Sequence, residues 1–410
     1  MCVGAWCFGQ ENGGGRLKLR KRAYFGGASS TEYLNVIATV APSKNFRVVV
    51  AAGGTGGHIF PAVAVVEQLE ALTGGDCDAV FMGSTDRMET TLVPKLGYKY
   101  VPMPITGFKG LAFSTLTLPV KVLTSIRIAR ETIRQHRPHC VICTGAYISY
   151  PVGVAALRER VPLVVLESNL NPGKANARLA PKATAVVLAF DESKGFYPDS
   201  MSPKLHVLGN PVRSQIHAAK PVDEARRAYG LDPHRQTVLV FGGSLGAHTI
   251  NTAVERALPE IAERPWQILW QTGKGFAPQT PLPPNVVMLP FLDDMGSAYA
   301  AADLVVSRSG ATTIAELGIV GKPAIFVPLA TASTNEQQHN ALVVEKNNAA
   351  IVLSDAVLKD ILLPTIDSVM NDPDRRAVMS NAMLSLGRPF AARDAAQLVL
   401  RIGGWKGGFA

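Results

Sequence analysis

Along most of the chain, short apolar runs alternate with stretches of helical length. Val48-Val49-Val50-Ala51-Ala52 is the first run and reads as a buried parallel strand. From Ile59 to Ala71 apolar residues return at helical spacing, with Pro61 expected in the first turn, where a missing N–H costs little. Ala79 to Met82 and Tyr100 to Met103 read as further strands, and Val120 to His136 as a basic helix. Val141 to Cys143, Leu163 to Leu166, Thr184 to Leu188 and Leu205 to Leu208 continue the series. Gly209-Asn210-Pro211-Val212-Arg213 is a turn-rich joint, and beyond it the pattern restarts. Val238 to Phe241 leads into Gly242-Gly243-Ser244-Leu245-Gly246-Ala247-His248 and a helix through Leu258. Strands are expected at Gln267 to Gln271, Val286 to Leu289, Leu304 to Val306 and Ala324 to Val327, and a final amphipathic helix at Ala391 to Ile402.

Near-continuous apolar strands joined by helices predict an α/β fold with parallel sheets covered on both faces. The restart predicts two Rossmann-like domains in tandem, facing each other across a cleft. The expected divisions are a leader at 1–45, a first domain at 46–212, a second at 213–388, and a C-terminal helix and tail at 389–410.

A length of 410 residues exceeds one ordinary core and agrees with two domains. With 47% hydrophobic and 18% charged residues the chain is globular. It contains no apolar run of the roughly 18 residues that a spanning helix needs. The net charge is +9, and residues 1–46 carry +4 of it, six Lys or Arg against Glu11 and Glu32. The remainder suits an anionic substrate or membrane surface; it is too diffuse and too poor in interleaved aromatics for nucleic acid. The leader, with Arg16 to Arg22 and Ala28-Ser29-Ser30-Thr31, has the composition of an organelle transit peptide. A misassigned start or a bacterial extension is the other account. The cysteines set up no disulfide framework. Cys140 and Cys143 match C-x-x-C inside a strand, where positions i and i+3 face opposite ways, so they read as buried small hydrophobes.

Three stretches carry candidate chemistry. In Gly53-Gly54-Thr55-Gly56-Gly57-His58, four glycines between strand and helix let the backbone approach a ligand, and the helix start offers N–H groups to an anion. His58 adds a group that exchanges a proton near neutral pH. A tight turn built for packing alone is the competing account. Ser307-Arg308-Ser309-Gly310-Ala311-Thr312-Thr313 brings hydroxyls and close backbone to a second helix start, a setting that suits a diphosphate. Glu316, about one turn inside, can hold two vicinal ribose hydroxyls, or is an ordinary solvated helix carboxylate. Thr334 to Asn340 is a polar cluster whose amides suit sugar hydroxyls, or a polar helix start.

With Phe291-Leu292-Asp293-Asp294-Met295 and Glu336-Gln337-Gln338 added, the chain resembles the MurG family. These are the UDP-N-acetylglucosamine:lipid-linked muramyl-pentapeptide N-acetylglucosaminyltransferases of peptidoglycan synthesis. The resemblance covers about residues 46–402, with the motifs in family order. It implies a GT-B architecture, the donor bound mainly by the second domain and the acceptor by the first. It implies that Glu316 binds the donor ribose, Gln337 and Gln338 the sugar hydroxyls, and Ser244 the diphosphate. Backbone at Leu292 is implied to read the uracil edge beside Met295 and Phe291. Arg213 resembles a family arginine near the donor phosphates, and Asn169 and Tyr147 correspond to residues lining the cleft. The implied donor set also takes in Thr55, Gly56, Gly57, Ser309, Gly310, Ala311 and Thr312. The implied acceptor set is Gly53, Gly54, Thr55, Gly56, Gly57, His58 and Tyr147. Leu245, Leu166-Glu167-Ser168-Asn169 and Thr144-Gly145-Ala146-Tyr147 depart from the commoner family residues, which touches fine contacts more than the reaction.

The reaction implied is displacement at the sugar's anomeric carbon by the C4 hydroxyl of lipid-linked N-acetylmuramic acid, with inversion. His58 is the candidate catalytic base. Helix-start amides with Arg213 or Arg308 suit the departing diphosphate. No Asp-x-Asp motif stands out, so neither a protein-bound metal nor a cofactor is expected. The alternatives are another lipid-directed UDP-sugar transferase of the same superfamily or a catalytically inert scaffold. An NAD-dependent oxidoreductase would need a glycine spacing that Gly54-Thr55-Gly56-Gly57 does not have. A lipid-linked acceptor implies a peripheral contact with an anionic membrane. Gly107 to Lys121 is the expected face, with Phe108, Leu111, Phe113 and Leu116 at the headgroup boundary and Arg127 and Arg130 extending the charge. A core-packed loop is the alternative. The expected location is the stromal side of a plastid inner envelope if the leader is a transit peptide, and otherwise the cytoplasmic face of a bacterial plasma membrane.

Overall fold

The structure is a computed structural model that describes residues 46–105, 118–218, 220–243, 246–329 and 335–408. The leader, Ser244, Leu245 and all of the membrane-facing segment before Leu118 lie outside the described residues. The first half runs β1 (Phe46–Ala51), α1 (Gly56–Leu72), β2 (Cys77–Ser84), α2 (Glu89–Lys95), β3 (Lys99–Met103) and α3 (Leu118–His136). It continues with β4 (Cys140–Cys143), α4 (Ala146–Arg158), β5 (Leu163–Glu167), α5 (Lys174–Leu179), β6 (Ala185–Leu188) and β7 (Leu205–Val207). The second half runs α6 (Ser214–His217), α7 (Val222–Ala228), β8 (Thr237–Phe241), α8 (His248–Ile261), β9 (Gln267–Gln271), β10 (Val286–Leu289) and α9 (Met295–Ala301). Then come β11 (Leu304–Ser307), α10 (Ala311–Val320), β12 (Ala324–Phe326), α11 (Glu336–Lys346) and β13 (Ala350–Val352). Three helices close the chain: α12 (Leu358–Met370), α13 (Pro373–Leu386) and α14 (Ala391–Ile402).

Both sheets are wound alike. One has the order β3-β2-β1-β4-β5-β6-β7 and the other β10-β9-β8-β11-β12-β13. Neighbouring strands pair in parallel, as in β1 with β2 and β4, and β8 with β9 and β11. In each sheet the order reverses beside the first strand, and such parallel sheets bind ligands at that reversal, off the strands' C-terminal ends. That point falls after β1 and β4 in one sheet and after β8 and β11 in the other.

Successive strand residues feed opposite faces. Val48, Val50, Cys140 and Ile142 pack on the side of α1, while Val49, Ala51, Val141 and Cys143 pack among residues of α3 and α4. Cys140 and Cys143 therefore diverge, and burial pushes both thiols up to about 12. The last helix crosses back to the first sheet. α14 lies against α1, with Ala395, Ala396, Leu398 and Val399 in one apolar cluster with Val63, Val66 and Leu69.

Two details differ from the sequence expectation. α1 begins at Gly56 rather than Ile59, so His58 lies inside its first turn and Pro61 in its second. β13 is an edge strand that the sequence expectation did not include, although Ala349 to Leu353 is an apolar run. Among the described residues no helix is long and apolar enough to cross a membrane.

Candidate functional site

After β1 the chain turns through Gly54, whose φ of +88° lies in the region open to glycine. A carboxylate holds this turn from beneath. Glu89 is fully buried at the start of α2. It accepts the Gly54 N–H at 3.2 Å, the Ser84 N–H at 3.1 Å and the Ser84 hydroxyl at 2.6 Å. Those donors meet the hydrogen-bonding demand of a charge taken out of water. The Gly54 N–H is thereby spent on the protein, and the amides left to meet an anion are those further into α1. Tyr147, on α4, packs its ring beside Gly54.

His58 is fixed from the other side of the reversal point, by the residue that follows β4. Its Nδ1 lies 2.8 Å from the Thr144 carbonyl, while the Thr144 hydroxyl donates to the His58 carbonyl at 2.8 Å. A carbonyl only accepts, so Nδ1 carries the proton and Nε2 keeps its lone pair. Gly145 (φ +105°) makes room, since a Cβ there would stand 2.9 Å from His58 Cε1. Burial lowers the His58 pKa from 6.5, opposed by the Thr144 bond and by the Glu336 and Glu89 carboxylates. The ring is neutral at pH 7 and able to take a proton.

In the second half, β11 runs into the start of α10. Glu316 lies on the inner face of that helix, 5% exposed. One of its oxygens lies 3.3 Å from Arg213 Nη2, and the other accepts the Tyr299 hydroxyl at 2.8 Å. Burial raises its pKa, and Arg213 and Tyr299 counter that shift. The Arg213 guanidinium also stacks 3.8 Å from the centre of the Phe60 ring on α1. Arg213 Nε is buried without a hydrogen-bond partner among the described residues. Sequence reasoning set Glu316 on a solvated or ligand-facing helix side and Arg213 beside phosphates; the structure pairs the two directly.

Several contacts join the halves at this point. The Thr312 hydroxyl, one turn before Glu316, donates to the Gly57 carbonyl at 3.2 Å. Asn169 Nδ2 reaches Glu336 at 3.4 Å, and Asn340 Nδ2 reaches Asn169 Oδ1 at 3.1 Å. The Leu170 N–H donates to Asn340 Oδ1 at 3.0 Å. Behind this loop, Glu167 is buried and accepts N–H groups of Asn169 and Gly173; burial raises its carboxyl to about 7 against the pull of those bonds.

The remaining predicted residues fall around these two helix starts. Gly310 caps α10 and Ala311 opens it. Ser309 is buried and donates to the Gln337 carbonyl at 2.8 Å, so its proton is committed within the second half. Gln337 Oε1 accepts the Leu329 N–H at 3.0 Å, and Gln338 is half-buried beside it. Leu292 is buried, Phe291 is 40% exposed, and Met295 opens α9 behind the Asp294 cap. Arg308 departs from expectation. It donates to the Val327 and Pro328 carbonyls, to Asp355 at 3.0 Å and to Thr249 at 2.7 Å, a brace rather than a free cation. Sequence reasoning missed Glu89 and Tyr299 and gave Thr144 no role; Asn340 stood in the polar cluster read for sugar hydroxyls, and its amide bonds Leu170 and Asn169. Each acts through partners outside its own motif, as Glu89 does through Gly54, 35 positions away.

The profile of the glycosyltransferase family 28 N-terminal domain matches residues 48–188, and that of the C-terminal domain matches 237–399. Among curated relatives, proteins named UDP-N-acetylglucosamine--N-acetylmuramyl-(pentapeptide) pyrophosphoryl-undecaprenol N-acetylglucosamine transferase align over nearly their whole length. The one from Bacteroides fragilis (strain ATCC 25285) is 36% identical, covering 87% of this chain and 95% of the relative. The one from Listeria welshimeri is 35% identical, covering 87% and 99%. Among solved structures, Acinetobacter baumannii MurG superposes with a TM-score of 0.67 at 27% identity, covering 87% of this chain and 99% of that one. A UDP-GlcNAc 2-epimerase from Neisseria meningitidis shares the fold at 14% identity, with a TM-score of 0.62 over 87% of this chain and all of the other.

Proposed function

The chain belongs to the MurG family, a GT-B glycosyltransferase family, and we propose that it moves N-acetylglucosamine from UDP-N-acetylglucosamine to lipid-linked N-acetylmuramyl-pentapeptide. The observation that carries the site assignment is the meeting of two helix starts, α1 with His58 and α10 with Glu316, joined through Thr312 and Gly57. An inverting transfer needs a base on the acceptor side and an anion seat on the donor side, on opposite faces of the anomeric carbon.

Each demand finds a group. The neutral His58 imidazole, held by Thr144, presents Nε2 to the acceptor's C4 hydroxyl and takes its proton as the C–O bond forms. The anomeric carbon inverts and the UDP diphosphate departs. Amides at the start of α10 meet its charge, and the unpartnered Arg213 Nε–H is a further donor at the same place. Glu316 faces Arg213 at 3.3 Å, and the second lone pairs of its oxygens accept the ribose hydroxyls. Gln337 and Gln338 lie at the start of α11, where their amides meet the sugar; Leu292 and Met295 flank the base.

Reaching a lipid-linked acceptor requires a bilayer surface. On the first turns of α3, Val120 and Leu123 are 66% and 63% exposed, beside Lys121 and Arg127. Apolar side chains open to water on a basic helix start fit the headgroup region of an anionic membrane. For the leader, plastid import remains the proposal; a reporter fused to residues 1–45 that stays cytosolic in a plastid-bearing cell would end it. The activity itself is tested by turnover with a lipid-linked acceptor against a panel of UDP-sugars. UDP-N-acetylglucosamine should be preferred; turnover with a different UDP-sugar, or with none, overturns the assignment.

A further inference from the structure

Pro61 lies in the second turn of α1, where an ordinary residue would donate its N–H to the carbonyl of Gly57. Proline has no N–H, so that carbonyl loses its helical donor one residue before His58. The Thr312 hydroxyl, from the other half of the chain, donates to it at 3.2 Å. Thr312 in turn accepts from Asn210 Nδ2 at 3.4 Å, and Asn210 Oδ1 accepts the Ser168 hydroxyl at 2.8 Å. All three side chains are buried, at 4 to 8% exposure. Every hydroxyl and amide in this chain points its proton the same way, from the end of β5, through the joint between the halves, onto α10 and back to the first turn of α1. Hydrogen bonds aligned in this way polarise one another.

We propose that Thr312 is a positioning residue that ties His58 to the donor-binding half. Its hydroxyl holds the backbone just before the base, so the base reaches its working position only when the start of α10, which seats the donor, is docked against α1. The resemblance implies a contact of Thr312 with donor; to this is added a contact of its side chain with protein. The proposal rests on the glycosyltransferase reading of this site. A carbonyl has two lone pairs, so the Thr312 bond does not depend on the missing Pro61 N–H.

The test compares Thr312→Val, which keeps the shape and removes the hydroxyl, with Thr312→Ser, which keeps the hydroxyl. Each is made in the native background and in Pro61→Ala, where the new N–H satisfies the Gly57 carbonyl from within the helix. With lipid-linked acceptor, Thr312→Val should lower kcat about tenfold in both backgrounds, as loss of one buried hydrogen bond implies. Donor KM and calorimetric UDP affinity should stay within about twofold, and Thr312→Ser should restore kcat. The His58 Cε1–H resonance, assigned from its loss in His58→Ala, should shift in Thr312→Val and return in Thr312→Ser. If the kcat loss vanishes in the Pro61→Ala background, the hydroxyl merely satisfies a carbonyl and the proposal fails. An unchanged kcat, an effect confined to donor KM, or an unmoved His58 resonance also overturns it. Wild-type protein that neither binds UDP nor turns over would instead remove the reading of the site, with the resonance still deciding the tie.

Discussion

The starts of α1 and α10 use a buried carboxylate in opposite ways. Under α1, Glu89 collects two backbone N–H groups and a hydroxyl, and its charge goes into shaping the turn that leads to His58. On α10, Glu316 leans on Arg213 and Tyr299, one partner for each oxygen, and keeps acceptor capacity for something else. One carboxylate is consumed by the fold and the other is held ready. In the proposed reaction, acceptor chemistry would then rest on a rigid backbone and a neutral base, and donor chemistry on charge.

That contrast makes distinct predictions, and the largest effect belongs to the base. His58→Ala should lower turnover by about 10²–10⁴-fold while UDP affinity by calorimetry stays near wild type. Turnover equal to wild type across the pH range would show that no imidazole base is used. Glu316→Gln keeps the size but removes the charge facing Arg213. It should weaken UDP binding about 100-fold, the effect of losing charged hydrogen bonds worth about 2–3 kcal/mol. Unchanged donor affinity in the folded variant would erase the difference between the two helix starts. Glu89→Gln turns an amide NH₂ toward groups that themselves donate. It should cost on the order of 2 kcal/mol in urea unfolding and lower kcat with little change in UDP affinity. If UDP affinity falls instead, Glu89 serves the donor side.

The pH dependence sharpens the same contrast. The folded-state pKa of His58 lies below its ordinary 6.5, so in that interval the folded protein binds fewer protons than the unfolded chain. The stability tied to this group is full above pH 6.5 and falls as the pH drops below it. His58→Asn should therefore shrink the acid-side loss in urea midpoint, and the His58 resonance should titrate with a midpoint under 6.5. The smallest effect concerns the surface. Val120→Ser with Leu123→Ser should reduce binding to anionic vesicles by several-fold and leave UDP affinity and melting temperature alone. Wild-type vesicle binding would move the membrane contact away from α3.

The strands, their parallel pairing and the restart after Arg213 were legible because each is written in a contiguous run of residues. So were Gly53 to His58 and Ser307 to Thr313, where glycine, hydroxyl and helix start stand together in sequence. The network around them was not. Thr144 reaches His58 across 86 positions, Arg213 reaches Glu316 across 103, and Thr312 reaches Gly57 across 255. A buried Glu at position 89 reads locally as a surface residue on a short helix, because its donors are backbone groups that no sequence pattern marks. Arg308 shows the converse, since its motif suggested a phosphate contact and tertiary partners took every bond described for it.

The return of α14 onto α1 sets an order for biosynthesis. The outer face of α1 emerges from the ribosome long before the residues that cover it, Ala395, Ala396, Leu398 and Val399. At about 5–20 residues per second, that face stays bare for roughly 15–60 s. Until then the first sheet has a nearly complete hydrogen-bonded framework and an open apolar side, the kind of nascent species that chaperones hold. A chain stopped after α13 would carry every residue of the proposed chemistry and still leave this side uncovered. α14 thus decides whether α1 is finished.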